Sequence, residues 1–199
     1  NPYLRENFQR NCIMRGLSDA SNEDMVIISD LDEIPNPDSI YKFKPNMRFA
    51  VFKQKHFYYK INSQSQKNPF WYGSKICVKK YLKSPQWLRE LKFKKRPFWR
   101  IDKYRLNNIL DGGGWHFCNL KTAEELLYKY KKLCETNDPY IFKEKIDKKY
   151  LELEAIKTKI HLGEDIIGRD EIYKKIKLDD SFPRYVLDNI EKYKNWIVN

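Results

Sequence analysis

Two carboxylates stand where chemistry is easiest to build, in the run Ile27-Ile28-Ser29-Asp30-Leu31-Asp32-Glu33-Ile34-Pro35. Asp30 and Asp32 follow the apolar Met25-Val26-Ile27-Ile28 segment at spacing i, i+2. At a strand end, where the chain is turning, both can offer oxygen to one hard cation. A Mg²⁺ or Mn²⁺ held there shares its remaining positions with water and phosphate oxygens. The plainer reading is a solvated acidic turn, in which three neighbouring acids repel one another unless a counter-ion is present.

A second constellation is Ile109-Leu110-Asp111-Gly112-Gly113-Gly114-Trp115-His116-Phe117. Three glycines let the backbone turn sharply or approach a ligand. His116 is either a metal ligand or diphosphate donor, or a histidine packed among aromatics. His56 and His161 are read as structural. Trp115 and, second to it, Trp71 are candidate platforms for the C–H face of a sugar ring.

Positioning these residues requires an α/β frame. Residues 4–16 carry Leu4, Phe8, Cys12 and Ile13 at helical spacing, with Gly16 to end the helix. Met25 to Ser29 reads as a buried parallel strand with functional residues at its carboxyl end. Pro35-Asn36-Pro37-Asp38 is a turn, with Asp38 or Ser39 as the cap of a short helix. Residues 48–61 predict a long strand or bent hairpin and 73–81 another strand. A short helix is expected over 87–91, after Pro85, and an aromatic strand after the glycine bend. Thr122 with Glu125 is a capping box opening a helix through Leu126, Leu127, Tyr130 and Leu133. Further helices are expected over 140–157 and 184–197. Strands thus dominate the first 120 residues and helices the rest, in one domain spanning 1–199.

Composition narrows the class. With 199 residues, 41% of them hydrophobic and 15% aromatic, the chain can bury a core and is not of disordered type. The net charge of +12 attracts anions in general: nucleic acid, an acidic membrane or a nucleoside diphosphate. The charge is spread along the chain, and no nucleic-acid partner is expected. Cys12, Cys77, Cys118 and Cys134 are too far apart for a zinc site or a small disulfide framework, so reduced thiols are expected. No apolar run approaches the ~20 residues of a membrane span. A cytoplasmic or peripheral membrane location is expected, and a Golgi-lumenal one only with an additional N-terminal anchor.

Two known chemistries place Asp-x-Asp after a strand. In haloacid-dehalogenase-type phosphatases the first Asp is a nucleophile and the second a general acid. In GT-A glycosyltransferases the pair binds metal and nucleoside diphosphate. The continuation Glu33-Ile34-Pro35 departs from the phosphatase pattern. The run Ser29 to Pro35 resembles glycosyltransferase family 17, which contains the β-1,4-mannosyl-glycoprotein 4-β-N-acetylglucosaminyltransferase. Glu6, Gln9-Arg10, Gly16-Leu17, Phe57-Tyr58-Tyr59, Trp71 with Gly73, Gly113 to Phe117, and Gly163-Glu164-Asp165 with Gly168-Arg169-Asp170 follow in the family's order.

The resemblance spans roughly residues 5–172 and implies a GT-A-like mixed sheet flanked by helices, with a helical C-terminal region. Relative to the family, the N-terminal strands that hold the base are missing from this sequence. The implied activity is inverting, Mn²⁺- or Mg²⁺-dependent transfer of N-acetylglucosamine from UDP-N-acetylglucosamine to a glycan acceptor. Asp30 and Asp32, with His116, are the implied metal ligands; Asp30, Asp32, Gly113, Gly114 and Trp115 the implied donor contacts. Inversion needs a carboxylate to accept the acceptor's proton; Asp111, Asp165 and Glu33 are the candidates. The alternatives are a carbohydrate or sugar-nucleotide binding module without turnover, a metal-dependent phosphatase, and a nucleic-acid binder.

Overall fold

The computed structural model describes residues 2–44, 46–92, 108–132 and 152–198. It is mixed α/β, with a mixed sheet flanked by helices. The chain divides into two compact units, each drawn from two segments: residues 1–55 with 70–116, and residues 56–69 with 117–199.

In the first unit, helix α1 (Pro2–Asn11) runs into a 3-10 turn (Cys12–Leu17), so the expected single helix is divided. Strand β1 (Met25–Ile28) leads through the acidic turn to β2 (Glu33–Pro35) and the short helix α2 (Pro37–Ile40). The cap of α2 is Asn36, whose Oδ1 accepts from the Asp38 N–H at 3.1 Å, in place of the expected Asp38 or Ser39. Pro37 lacks an N–H and is preset for the first helical position, which moves the cap to the residue before it.

Strand β3 (Phe49–Tyr58) begins in this unit, and β5 (Phe70–Val78) pairs with it antiparallel. β1 also pairs antiparallel, with β5, from Met25↔Val78 to Ile28↔Lys75. The expected parallel strand is therefore corrected. Its continuous apolar run has another cause: Val26 and Ile28 pack in a core with Phe49, Val51, Cys77 and Leu88, while Ile27 packs against Ala50, Phe52 and Ile76. Burial on both faces calls for apolar residues whatever the strand direction. β5 starts three residues earlier than expected and ends in a 3-10 turn at Lys79–Tyr81. Helix α3 (Pro85–Glu90) is capped by Ser84, whose Oγ accepts from the Trp87 N–H at 3.1 Å. β6 (Ile109–Leu110) lies parallel to β3, and β7 (Gly114–Cys118) lies antiparallel to β2.

The second unit takes the end of β3, which turns at Tyr59 (φ 62°) into β4 (Ser63–Ser65), completing a hairpin through Phe57↔Gln64. Helix α4 (Ala123–Lys132) carries the expected capping box: Thr122 Oγ1 accepts from Glu125 N at 3.3 Å, and Glu125 Oε2 from Thr122 N at 2.8 Å. Helix α5 (Leu153–Leu162) ends at left-handed Gly163, and β8 (Tyr173–Lys175) pairs with β4. Residues 140–151 of the expected second helix, with Leu133 and Cys134, lie outside the described residues. The expected helix over 184–197 is broken at Asn189 into α6 (Arg184–Asp188) and α7 (Ile190–Tyr193), followed by a 3-10 turn. Leu126, Tyr130, Ile156, Ile166 and Tyr173 form this unit's core with Tyr58 and Tyr59. Among the described residues no helix is long and apolar enough to cross a membrane.

Candidate functional site

The acidic turn belongs wholly to the first unit. After β1 the chain reverses tightly, with the Glu33 N–H donating to the Asp30 carbonyl at 3.0 Å and Leu31 fully exposed at the tip. Glu33 points inward and is buried. Its carboxylate accepts from Trp71 Nε1 (2.7 Å), Arg89 Nη2 (2.8 Å), Ser74 Oγ (3.0 Å) and the Asp30 N–H (3.2 Å). Four donors, two on each oxygen, satisfy this buried carboxylate. Ser74 also meets Ser29 Oγ and the fully buried Gln54, so the base of the turn is a closed polar network. Gly73 is required beside it: a Cβ there would stand 2.0 Å from Glu33 Oε1 and 2.2 Å from Trp71 Nε1.

The two aspartates diverge. Asp30 Oδ2 accepts from Arg89 Nη2, and its Oδ1 lies 3.6 Å from Arg10 Nη2. Asp32 Oδ2 lies 3.3 Å from His116 Nε2. The expectation that both carboxylates face one cation is thus modified: two guanidinium groups draw Asp30 aside, and Asp32 shares its space with the imidazole. Both keep more than a third of their side-chain surface open. Lys75, behind the turn, is buried, donates to the Arg89 carbonyl, and has its ammonium pushed down to about 8 by burial and then by the Arg89 charge.

β2 and β7 bring the two sequence constellations together. Their register sets Glu33 opposite His116, Ile34 opposite Trp115 and Pro35 opposite Gly114. Trp71, tied through its N–H to Glu33, packs its ring on His116 with centroids 4.9 Å apart. The imidazole is therefore flanked by an indole on its ring and a carboxylate at Nε2.

The glycine bend serves the chain itself. Gly113 donates to the Lys53 carbonyl (2.9 Å) and accepts from the Asn36 N–H (3.0 Å). Gly114 has φ +117°, and a Cβ there would lie 2.1 Å from the Ile34 carbonyl oxygen. At Gly113 and Gly114, the expected donor contacts, neighbouring backbone fills the space the missing side chains leave. Trp115 is buried, and its carbonyl accepts from Gln54 Nε2 at 3.4 Å. Trp71, 37% exposed, is the more accessible of the two indoles expected as platforms.

The three candidate bases differ in the same concrete way. Glu33 is saturated. Asp165 belongs to the second unit, fully buried, accepting from the Ile167 and Arg169 N–H groups, from the Arg169 guanidinium at 2.7 Å and from the Tyr173 hydroxyl at 3.1 Å. Asp111 is exposed, paired with Lys53 Nζ at 3.0 Å. His56 is buried with Nδ1 on the Asn68 carbonyl, and His161 is exposed. Cys77 is buried, which pushes its thiol up to about 12; Cys12 and Cys118 are half-buried, and none of the three is in a disulfide. Reasoning from sequence missed Arg89, Ser74 and Gln54, which lie in no motif: Ser74 and Gln54 find their partners through strand pairing, and Arg89 through the packing of α3 against the turn.

No family model matches the sequence, no curated protein matches it, and no solved structure matches it.

Proposed function

We propose that the protein is a GT-A-type glycosyltransferase that moves a sugar, N-acetylglucosamine by the family resemblance, from a uridine diphosphate donor to a glycan acceptor. The observation that carries this reading is the meeting of Asp32 and His116 at 3.3 Å beside an open acidic turn. Two cis ligands about 2.1 Å from one octahedral ion lie about 3 Å apart, so a carboxylate oxygen and an imidazole nitrogen at this separation fit one Mn²⁺ or Mg²⁺. Asp32 and His116 are the residues that would hold it, with Asp30 beside them. A divalent ion there would neutralise charge on the departing diphosphate.

The chain's own residues have distinct parts in this reading. Glu33, through Arg89, Trp71 and Ser74, fixes the turn and orients Asp30 and His116. Trp71 offers its exposed surface to a sugar ring. The acceptor hydroxyl oxygen attacks the anomeric carbon, the bond to the diphosphate oxygen breaks, and the hydroxyl proton passes to a carboxylate. Asp111 is the base we favour, because Glu33 and Asp165 have their oxygens occupied by donors.

The test is calorimetry of UDP with and without Mn²⁺, followed by an assay for UDP released from UDP-N-acetylglucosamine. Saturable, Mn²⁺-dependent UDP binding weakened in both Asp32→Asn and His116→Ala is expected. Absence of UDP binding in the presence of Mn²⁺ would overturn the proposal. Binding without release from any donor would leave a sugar-nucleotide binding module.

A further inference from the structure

The second unit contains a cavity of about 580 Å³, inside the roughly 300–1,000 Å³ range of small-molecule sites. Lys60, Lys121 and Lys157 reach its lining, together with Trp196, and among the described residues no Asp or Glu does. Lys157 is compensated from outside, by Glu154 at 3.0 Å and Glu124 at 3.8 Å. Lys60 is half-buried, donates to the Asn195 carbonyl at 2.7 Å and stands 5.6 Å from the centre of the Trp196 ring. Burial pushes its ammonium down, the mark of a cation whose lost hydration is replaced only by neutral groups. The Lys121 ammonium meets no carboxylate among the described residues.

A part-buried ammonium (Lys60) and an exposed one (Lys121), beside an indole and with no carboxylate partner among the described residues, suit an anion attached to a flat, partly apolar body. A sugar ring presents such a body through its C–H face, and a phosphate ester supplies the charge. We propose that this cavity is a binding site for a phosphorylated sugar, with the phosphate on Lys60 and Lys121 and the ring against Trp196. The site is independent of the transferase reading, since it needs neither Mn²⁺ nor a sugar nucleotide.

The experiment is a calorimetric titration of the full chain, free of divalent metal, with glucose 6-phosphate, glucose, inorganic phosphate and AMP. Glucose 6-phosphate should bind at least about tenfold more tightly than glucose or phosphate, and Lys60→Gln and Lys121→Gln should each weaken it about tenfold. Lys192→Gln, whose ammonium lies by Tyr185 outside the cavity, should leave it unchanged. Lys121→Gln keeps the test valid if Lys60→Gln unfolds. No binding of glucose 6-phosphate, equal binding of glucose, tighter binding of AMP, or full affinity in Lys121→Gln would each overturn the proposal.

Discussion

Glu33 in the first unit and Asp165 in the second are buried carboxylates, each held by an arginine and several further donors, yet their surroundings differ in kind. Around Asp165 stand Tyr58, Tyr59 and Tyr173, whose hydroxyls are all pushed up, first by burial. Around Glu33 stand two further carboxylates with open surface, a histidine, an accessible indole and a buried lysine. A saturated carboxylate alone therefore marks a structural tie. What separates the acidic turn is the set of part-exposed carboxylates and the imidazole that the tie holds in place.

The largest expected effect tests the structural side. Asp165→Ala leaves the Arg169 guanidinium and two backbone N–H groups without their acceptor. It should lower unfolding free energy by roughly 4 kcal/mol, near the middle of the range for breaking a buried pair, because Arg169 keeps part of its surface in water. Denaturant unfolding measures this. Loss of UDP release per folded molecule in the milder Asp165→Asn, with UDP affinity unchanged, would instead return Asp165 to the list of bases.

The two regions should also answer pH with opposite signs. Lys75 loses its proton near pH 8 in the folded protein and at its ordinary value of 10.5 when unfolded. Between these values the unfolded chain binds more protons, so stability should rise with pH, by on the order of 3 kcal/mol from this group. The tyrosines act in reverse: unfolded they ionise near 10, folded they do not, so stability should fall above that pH. Unfolding curves from pH 7 to 11 should climb and then turn over. Lys75→Met should abolish the climb, and Tyr173→Phe should soften the fall; an unaltered climb in Lys75→Met would assign it elsewhere.

Asp32→Asn should cost about a hundredfold in Mn²⁺-dependent UDP affinity, the upper end of the loss seen for outer-shell partners, since here the removed charge would face the ion itself. Thermal stability should scarcely change, because Asp32 is open to solvent. A variant with full affinity would reduce the turn to a solvated acidic reversal.

What the sequence made legible was local. The Asp30-Leu31-Asp32 turn, the glycine bend before Trp115 and the Thr122–Glu125 box each depend on a few adjacent residues, and spacing exposes them. The pairing of β1 with β5 was hidden, because apolar residues on both faces look alike in parallel and antiparallel strands. Arg89 was hidden because its value lies in reaching Asp30, Glu33 and the Gly73 carbonyl at once, from a helix whose own sequence shows only a Ser-Pro start. The glycines illustrate the same divide. Gly112 to Gly114 were visible as a bend, while the backbone that crowds the empty sides of Gly113 and Gly114 comes from β3, β6 and the end of β2.

Gly73 brings the smallest and most discriminating change. A methyl group there would sit 2.0 Å from Glu33 Oε1, so Gly73→Ala must push Glu33 or Trp71 from its place. The resulting overpacking should cost about 2 kcal/mol of stability, within the range for inserting one carbon into a filled core. Its backbone is not in the left-handed region, so strain at residue 73 itself contributes nothing. If Glu33 positions the open ligands, Mn²⁺-dependent UDP affinity should drop with stability although Asp32 and His116 are untouched. Unchanged affinity in a destabilised Gly73→Ala variant would mean that the turn keeps its shape without Glu33, and the two buried carboxylates would then be alike.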